Sequence, residues 1–201
     1  MTQRPEVLAR LIALVWPVAF VSGLLLVAFA QVRWGVSDEG VRPSITGLGR
    51  VSVPGATDED VDYFFDGQTR RPGLVVVVAG SAIAAAALVG WWKRPARPVA
   101  MAVIGIGAVT ALVVGIRTVR DPAAHLFSDR LTQALDLDLP DIQPGYGLVG
   151  VVGVAGVLLA VVAFWLVTTW TVGRGAAGRR VGEGPDGVQA NPTISRTDGP
   201  S

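Results

Sequence analysis

Residues 11–32 read LIALVWPVAFVSGLLLVAFAQV, a run of 22 residues without a charged side chain. Three further runs of this kind lie at 72–92, 98–116 and 142–173. A helix needs about 20 apolar residues to cross the roughly 30 Å hydrocarbon core of a bilayer, and backbone polar groups in lipid must be satisfied within their own segment. The sequence therefore predicts an all-α fold, an integral membrane four-helix bundle. The predicted spans are residues 11–32, 73–92, 99–117 and 147–170.

The composition excludes several classes of chemistry. The 201 residues are 51% hydrophobic, and 17 basic and 16 acidic residues leave a net charge of +1. A charge so close to zero produces no overall field that attracts nucleic acid. The chain has no cysteine and His125 is its single histidine, which excludes a disulfide, a thiolate nucleophile and a multi-histidine metal centre. We expect no cofactor, and we expect membrane lipids, other membrane subunits or a second copy of the chain as partners.

The distribution of basic residues predicts the orientation in the membrane. Arginine supplies 16 of the 17 basic residues, a bias typical of GC-rich bacterial genomes. Short segments rich in Lys and Arg next to a span are cytoplasmic by the positive-inside rule. The residues concerned are Arg4, Arg10, Lys93, Arg94, Arg97, Arg174, Arg179 and Arg180. The sequence thus predicts a bacterial cytoplasmic-membrane protein with both termini in the cytoplasm and extracytoplasmic loops at 33–72 and 118–146.

The last part of the chain differs in composition from the spans. Residues 172–201 are rich in Gly, Pro, Arg and Asp and have few large apolar side chains, so they bury too little to offset the entropy of ordering. We therefore expect a transmembrane domain at 1–171 followed by a disordered cytoplasmic tail.

The first span has a second interpretation. Arg4 and Arg10 precede the apolar run, and Ala28-Phe29-Ala30 near its end matches the A-x-A site of a cleavable signal peptide. The run is too long for a typical signal peptide, and a kink at Pro17 needs neighbouring helices to satisfy the freed carbonyl. A retained anchor is favoured over a cleaved leader.

Each extracytoplasmic loop is expected to contain a short interfacial helix. Thr57 can cap a helix whose apolar side is formed by Val61, Phe64 and Phe65. In the second loop, Asp121 can cap a helix that has Pro122 at its first position.

Two groups of polar residues in these loops were weighed as reactive sites. The acids at Asp58, Asp60 and Asp62 have the spacing of a calcium loop, but the positions that require Gly and Glu hold Tyr63 and Thr69. The better interpretation is a solvated first helical turn. His125 has Asp121 and Asp129 four residues away on either side, on one helical face. No nucleophile motif accompanies them, so we predict a surface histidine and no catalytic, cofactor or metal residue.

Small residues recur at helical spacing within the spans. Such residues let helix backbones approach closely, and helix association in lipid depends on this packing. They are expected to pack the bundle internally or to present a face to a partner subunit. The residues are Gly80, Ala84, Gly107, Ala111, Gly115, Gly147, Gly150, Gly153 and Gly156.

Three short motifs occur within this four-span arrangement: DYFFDG at 62–67, RRPG at 70–73 and WWKR at 91–94. With them the chain resembles small four-span actinobacterial membrane proteins that carry a domain of unknown function. The resemblance implies an envelope location and supplies no catalytic residues. The segment AFAQVRW at 28–34 also resembles actinobacterial four-span proteins encoded near tryptophan synthesis genes.

These observations lead to three functional hypotheses. The first is a non-enzymatic accessory or assembly subunit of an envelope complex. The alternative is a small homo-oligomeric transporter of a small solute or lipid, which would need a polar path through the spans. The third is a membrane enzyme that acts at the outer face through His125 and the acidic residues.

Overall fold

The computed structural model of the chain describes residues 4–37, 44–57, 59, 61, 70–122, 125 and 142–182, with side chains over 10–36, 44–57, 59, 61, 70–122, 125 and 143–170. It contains four long helices, which are α1 at Arg4–Gln31, α2 at Pro72–Trp92, α3 at Arg97–Arg120 and α4 at Tyr146–Gly182. Each is long and apolar enough to cross a membrane. The predicted four-span organisation is confirmed, and the chain is a multi-pass integral membrane protein. It divides into two compact units, Met1–Trp165 and Leu166–Ser201.

Local sequence explains where α2 and α3 begin and end. Pro72 opens α2 at a position where its missing N–H is not needed, and Pro98 does the same for α3. A 3-10 turn at Arg94–Ala96 joins the two helices. Arg117 and Arg120 lie in the last turn of α3, where cations interact favourably with the helix dipole.

The first unit is held together by apolar contacts between neighbouring helices. Helix α1 packs against α2, and α2 packs against α3. Side chains with no exposed surface, among them Leu26, Ile83, Ile104 and Leu158, form a core that all four helices share. Because α2 and α3 are antiparallel, the end of α2 and the start of α3 lie together at the 3-10 turn, and their other ends lie together at the opposite side. We call the end with the 3-10 turn the connector end and the opposite end the sheet end.

A small antiparallel sheet lies at the sheet end. Its strands are β1 at Arg33–Ser37, β2 at Ser44–Thr46, β3 at Val51–Ser52 and β4 at Ile142–Pro144, in the order β3-β2-β1-β4. The segment that follows α1 therefore pairs with the segment that precedes α4. The sequence did not predict this sheet. The fold is mostly helical, but the all-α prediction is wrong for the described loop residues that form these strands. The strands have two to five residues and no clear alternation, and their pairing is not local.

Several loop predictions fall outside the described residues. Glu59 and Val61 are helical, but most of the predicted helix between residues 57 and 67 lies beyond the part of the chain that the structure describes. The same holds for Asp129 and for the second loop helix after His125. Helix α4 continues to Gly182, past the predicted domain end at residue 171, and residues 183–201 are outside the described part.

Candidate functional site

Glycines bring the backbones of α1 and α2 into close contact. A Cβ atom built at Gly80 would lie 2.7 Å from the carbonyl oxygen of Gly23, and a Cβ atom at Gly23 would lie 2.7 Å from the carbonyl oxygen of Gly80. Ala84 extends the contact, since a Cβ atom at Gly23 would also lie 2.8 Å from the Ala84 backbone nitrogen. The sequence analysis selected Gly80 and Ala84 but missed Gly23. The spacing of four between Ala19 and Gly23 on α1 is the signal that would have found it.

The selected residues of α3 face two different neighbours. A Cβ atom at Gly107 would lie 2.9 Å from Ile83 of α2, whereas one at Gly115 would lie 2.8 Å from Val152 of α4. Ala111, between them, is fully buried. These residues line the contacts of α3 with its neighbours on both sides.

The four glycines of α4 divide into two pairs. A Cβ atom at Gly147 would lie 2.8 Å from the carbonyl oxygen of Phe29, and one at Gly150 would lie 2.8 Å from the Phe29 ring, so both glycines face α1. Gly153 and Gly156 are exposed, and a Cβ atom at either would meet no atom within 4 Å. Of the nine selected residues, seven therefore lie against the chain's own helices or are buried, and two face outward.

Trp34 connects three helix ends at the sheet end. Its side chain is 0% exposed, and its Nε1 donates a hydrogen bond to the carbonyl oxygen of Phe29 at 2.9 Å. The Gly145 N–H, just before α4, donates to the Trp34 carbonyl oxygen at 2.8 Å. A Cβ atom at Gly47 would lie 2.5 Å from the indole ring, and the Gly73 N–H at the start of α2 donates to the Gly47 carbonyl oxygen at 2.7 Å.

We call these five residues, Phe29, Trp34, Gly47, Gly73 and Gly145, the tryptophan cap. An aromatic residue next to a span, as Trp34 is, is expected to lie in the lipid headgroup zone. For Trp34 this expectation is wrong, because the indole is enclosed by protein. Trp92 and Tyr146 are exposed, as the headgroup interpretation requires.

A second cluster ties three helices together at the connector end. Trp16 of α1 is buried, and its ring fills the space beside Gly90 of α2, so that a Cβ atom at Gly90 would collide with it. Arg97 of α3 lies over this ring, with its Cζ 5.8 Å from the ring centroid. The Arg97 Nε also donates to the Gly90 carbonyl oxygen at 3.3 Å, where a cation is favourable because α2 ends two residues later.

Two threonine hydroxyls of α3 are bonded to their own helix. Thr110 and Thr118 donate to the carbonyl oxygens of Ile106 and Val114, each at 2.9 Å. Across the residues that the structure describes, every buried side-chain nitrogen or oxygen has a hydrogen-bond partner.

The residues weighed as reactive are placed as follows. The Nδ1 atom of His125 lies 3.0 Å from the backbone carbonyl oxygen of Asp121, so the contact to this residue is made through the peptide group. Within the described ranges, no three or more His, Asp or Glu side chains come together as a metal site.

The fold and these contacts define a multi-pass membrane protein whose glycines set the distances between its helices. No known protein family, curated protein or solved structure was found to match the chain.

Proposed function

We propose that the chain is a non-enzymatic accessory or assembly subunit of a bacterial cytoplasmic-membrane complex, and that it binds its partner through one face of α4. This face consists of Val149, Gly153, Gly156 and Val157, all of which are exposed. The observation that carries the proposal is the open space beyond Gly153 and Gly156. The other selected small residues have neighbours within the bundle, and these two have none there.

The physics of helix association in lipid supports this use of the face. Burying apolar surface gains little where the solvent is itself apolar, so association depends on close backbone packing at small residues. A glycine inside a helix is less favourable than alanine by about 1 kcal/mol in water. A close contact with a helix of another protein would offset this cost, because Gly153 and Gly156 would let the two backbones approach closely.

The proposed orientation places the sheet end outside the cell and both termini in the cytoplasm. It is supported by the basic connector, where Lys93 and Arg94 are exposed at the end opposite the sheet. The resemblance to four-span actinobacterial envelope proteins agrees with this location and remains a prediction.

Site-specific crosslinking in native membranes tests the proposal. The natural chain has no cysteine, so a Gly153→Cys variant carries a single thiol on the proposed face. Leu24→Cys is the matched control, because Leu24 is 49% exposed on α1 and both positions lie seven residues from their helix ends at the sheet. We expect a crosslinker that is thiol-reactive at one end and photoactivated at the other to join Gly153→Cys, and not Leu24→Cys, to one other protein.

Three results are informative. An adduct with a different protein supports the accessory role. An adduct of exactly twice the chain mass would favour the homo-oligomeric alternative instead. The absence of any adduct specific to Gly153→Cys contradicts the proposal.

A further inference from the structure

A groove runs along the membrane-facing surface between α2 and α3. Its volume is about 440 Å³. Ala79, which is buried, and Gly107 form its floor, and the larger side chains of Val78 and Ile106 form its rims, where they are 63% and 69% exposed. The groove therefore exists because small residues on both helices face each other beneath larger ones.

The lining of the groove is apolar. Among the described residues that line it, Thr110 is the one with a polar side chain, and the Thr110 hydroxyl already donates to the carbonyl oxygen of Ile106. A groove without a free hydrogen-bonding group favours a hydrocarbon occupant, since a polar group placed there would lose its partners. The volume falls within the range of about 300–1,000 Å³ that is usual for small-molecule sites.

Two arginines continue the groove toward the sheet end. Arg71 directly precedes α2, three residues before Leu74 at this end of the groove. Arg117 is seven residues after Thr110 on α3 and therefore extends the same side of that helix. Both arginines are exposed, and Arg120 and Asp121 follow at the end of α3.

The helix ends place this charge where lipid headgroups lie. Arg71 stands at the first residue outside α2, and Arg117 is in the last turn of α3, so both lie at the same end of two antiparallel spans. Guanidinium groups bind phosphate oxygens through paired, charge-assisted hydrogen bonds. A hydrocarbon groove that ends at two arginines matches the two parts of an anionic lipid.

We propose that this groove binds one acyl chain of an anionic membrane phospholipid, with Arg71 and Arg117 holding the phosphate at the sheet end. The site is separate from the α4 face assigned to a protein partner, so either proposal can fail without the other.

Native mass spectrometry of the full chain in detergent tests the site. Phosphatidylglycerol and phosphatidylcholine with identical acyl chains are the probes. Both carry a phosphate, but the choline cation makes phosphatidylcholine neutral overall, whereas phosphatidylglycerol is anionic. We expect the natural chain to bind phosphatidylglycerol more tightly. The double variant Arg71→Gln/Arg117→Gln should weaken phosphatidylglycerol binding by about tenfold and remove the preference, since a hydrogen bond to a charged group is lost. Lys93→Gln/Arg94→Gln, at the connector end, is the matched control and should leave binding unchanged.

A second pair of variants tests the groove itself. Ala82→Leu fills the groove from an exposed position on α2 and should weaken both lipids by about tenfold. Ala85→Leu adds the same side chain at another exposed position of α2 that does not line the groove, and it should leave binding unchanged. Helix content by circular dichroism confirms that each variant is folded.

The following results would overturn the proposal. Equal effects of Ala82→Leu and Ala85→Leu would mean that the lipid does not occupy the groove. A full preference for phosphatidylglycerol in Arg71→Gln/Arg117→Gln would mean that these arginines do not hold the phosphate. Crosslinking of Ala82→Cys to a second polypeptide in native membranes would show that a protein helix occupies the groove instead.

Discussion

Replacing Gly80 by alanine should force α1 and α2 apart where Gly80 lies against Gly23. The new Cβ atom would start 2.7 Å from the carbonyl oxygen of Gly23. A relaxed contact between an aliphatic carbon and a carbonyl oxygen has a length of about 3.3–3.6 Å, so the helices must separate locally by about 0.6–0.9 Å. Neither atom belongs to a side chain that can rotate away, because both are fixed to helix backbones.

The separation has a predictable energetic effect. A gap of about 0.5–1 Å removes about a quarter to a half of the dispersion energy of each atom pair that it opens. Overpacking of this kind typically costs about 1–3 kcal/mol, and the better helix propensity of alanine offsets up to about 1 kcal/mol. We expect Gly80→Ala to lower the free energy of unfolding by up to about 3 kcal/mol, and to be about 1–3 kcal/mol less stable than an alanine variant that gains the same helix propensity without overpacking.

Unfolding by sodium dodecyl sulfate in mixed micelles, followed by circular dichroism, measures this effect. Gly153→Ala is the matched control, because its Cβ atom meets no neighbour and only helix propensity changes. Its stability should be unchanged or raised by up to about 1 kcal/mol. The double variant Gly23→Ala/Gly80→Ala should lose less than the sum of the two single variants, since the first separation makes room for the second methyl group. Equal stabilities of Gly80→Ala and Gly153→Ala would refute the reasoning.

Three further predictions concern the helix ends. Trp34→Phe removes the indole hydrogen bond to the Phe29 carbonyl oxygen, which keeps the bond from the Val32 N–H at 3.3 Å, and should lower stability by about 0.5–1.5 kcal/mol in the same titration, whereas Trp92→Phe, which changes a side chain that is 83% exposed, should have little effect. Arg97→Gln removes the cation over the buried tryptophan of α1 and should cost about 1 kcal/mol, more than Arg94→Gln at an exposed position of the same connector. Alkaline phosphatase fused after Val53 should be active and a fusion after Arg94 inactive, and the reverse pattern would contradict the proposed orientation.

The spans could be predicted from sequence because the decisive property is local. A segment either contains enough consecutive apolar residues to cross the bilayer or it does not, and nearby prolines and charges limit its ends. The predicted span at 73–92 agrees closely with helix α2 at Pro72–Trp92 for this reason. A short stretch of sequence is therefore enough to predict where each helix begins and ends.

The orientation of each small residue is partly local. Successive residues turn by about 100° around a helix, so nine residues from Gly147 to Gly156 amount to about half a turn beyond complete turns. Gly147 and Gly156 therefore lie on opposite sides of α4, which agrees with one facing α1 and the other open space. Sequence spacing separates these glycines into two faces, but it does not tell which face has a neighbour.

The sheet and the burial of Trp34 could not be predicted in the same way. β1 pairs with β4 in a register that joins Gly35 to Pro144, and neither short strand contains a pattern that identifies the other. An aromatic residue next to a span has the same sequence appearance whether headgroups or a sheet surround it. Only the position of Gly47 and Gly147 around the indole distinguishes the two cases.

The pairing of β1 with β4 also constrains biogenesis. Gly35 leaves the ribosome 109 residues before Pro144, an interval of roughly 5–20 seconds at about 5–20 residues per second. During this time β1 lacks the strand that later pairs with it, and the Trp34 carbonyl oxygen lacks its hydrogen bond from the Gly145 N–H. The tryptophan cap therefore cannot form until α4 has been synthesised and inserted. Resistance of this region to added protease would report that insertion of the four helices is complete.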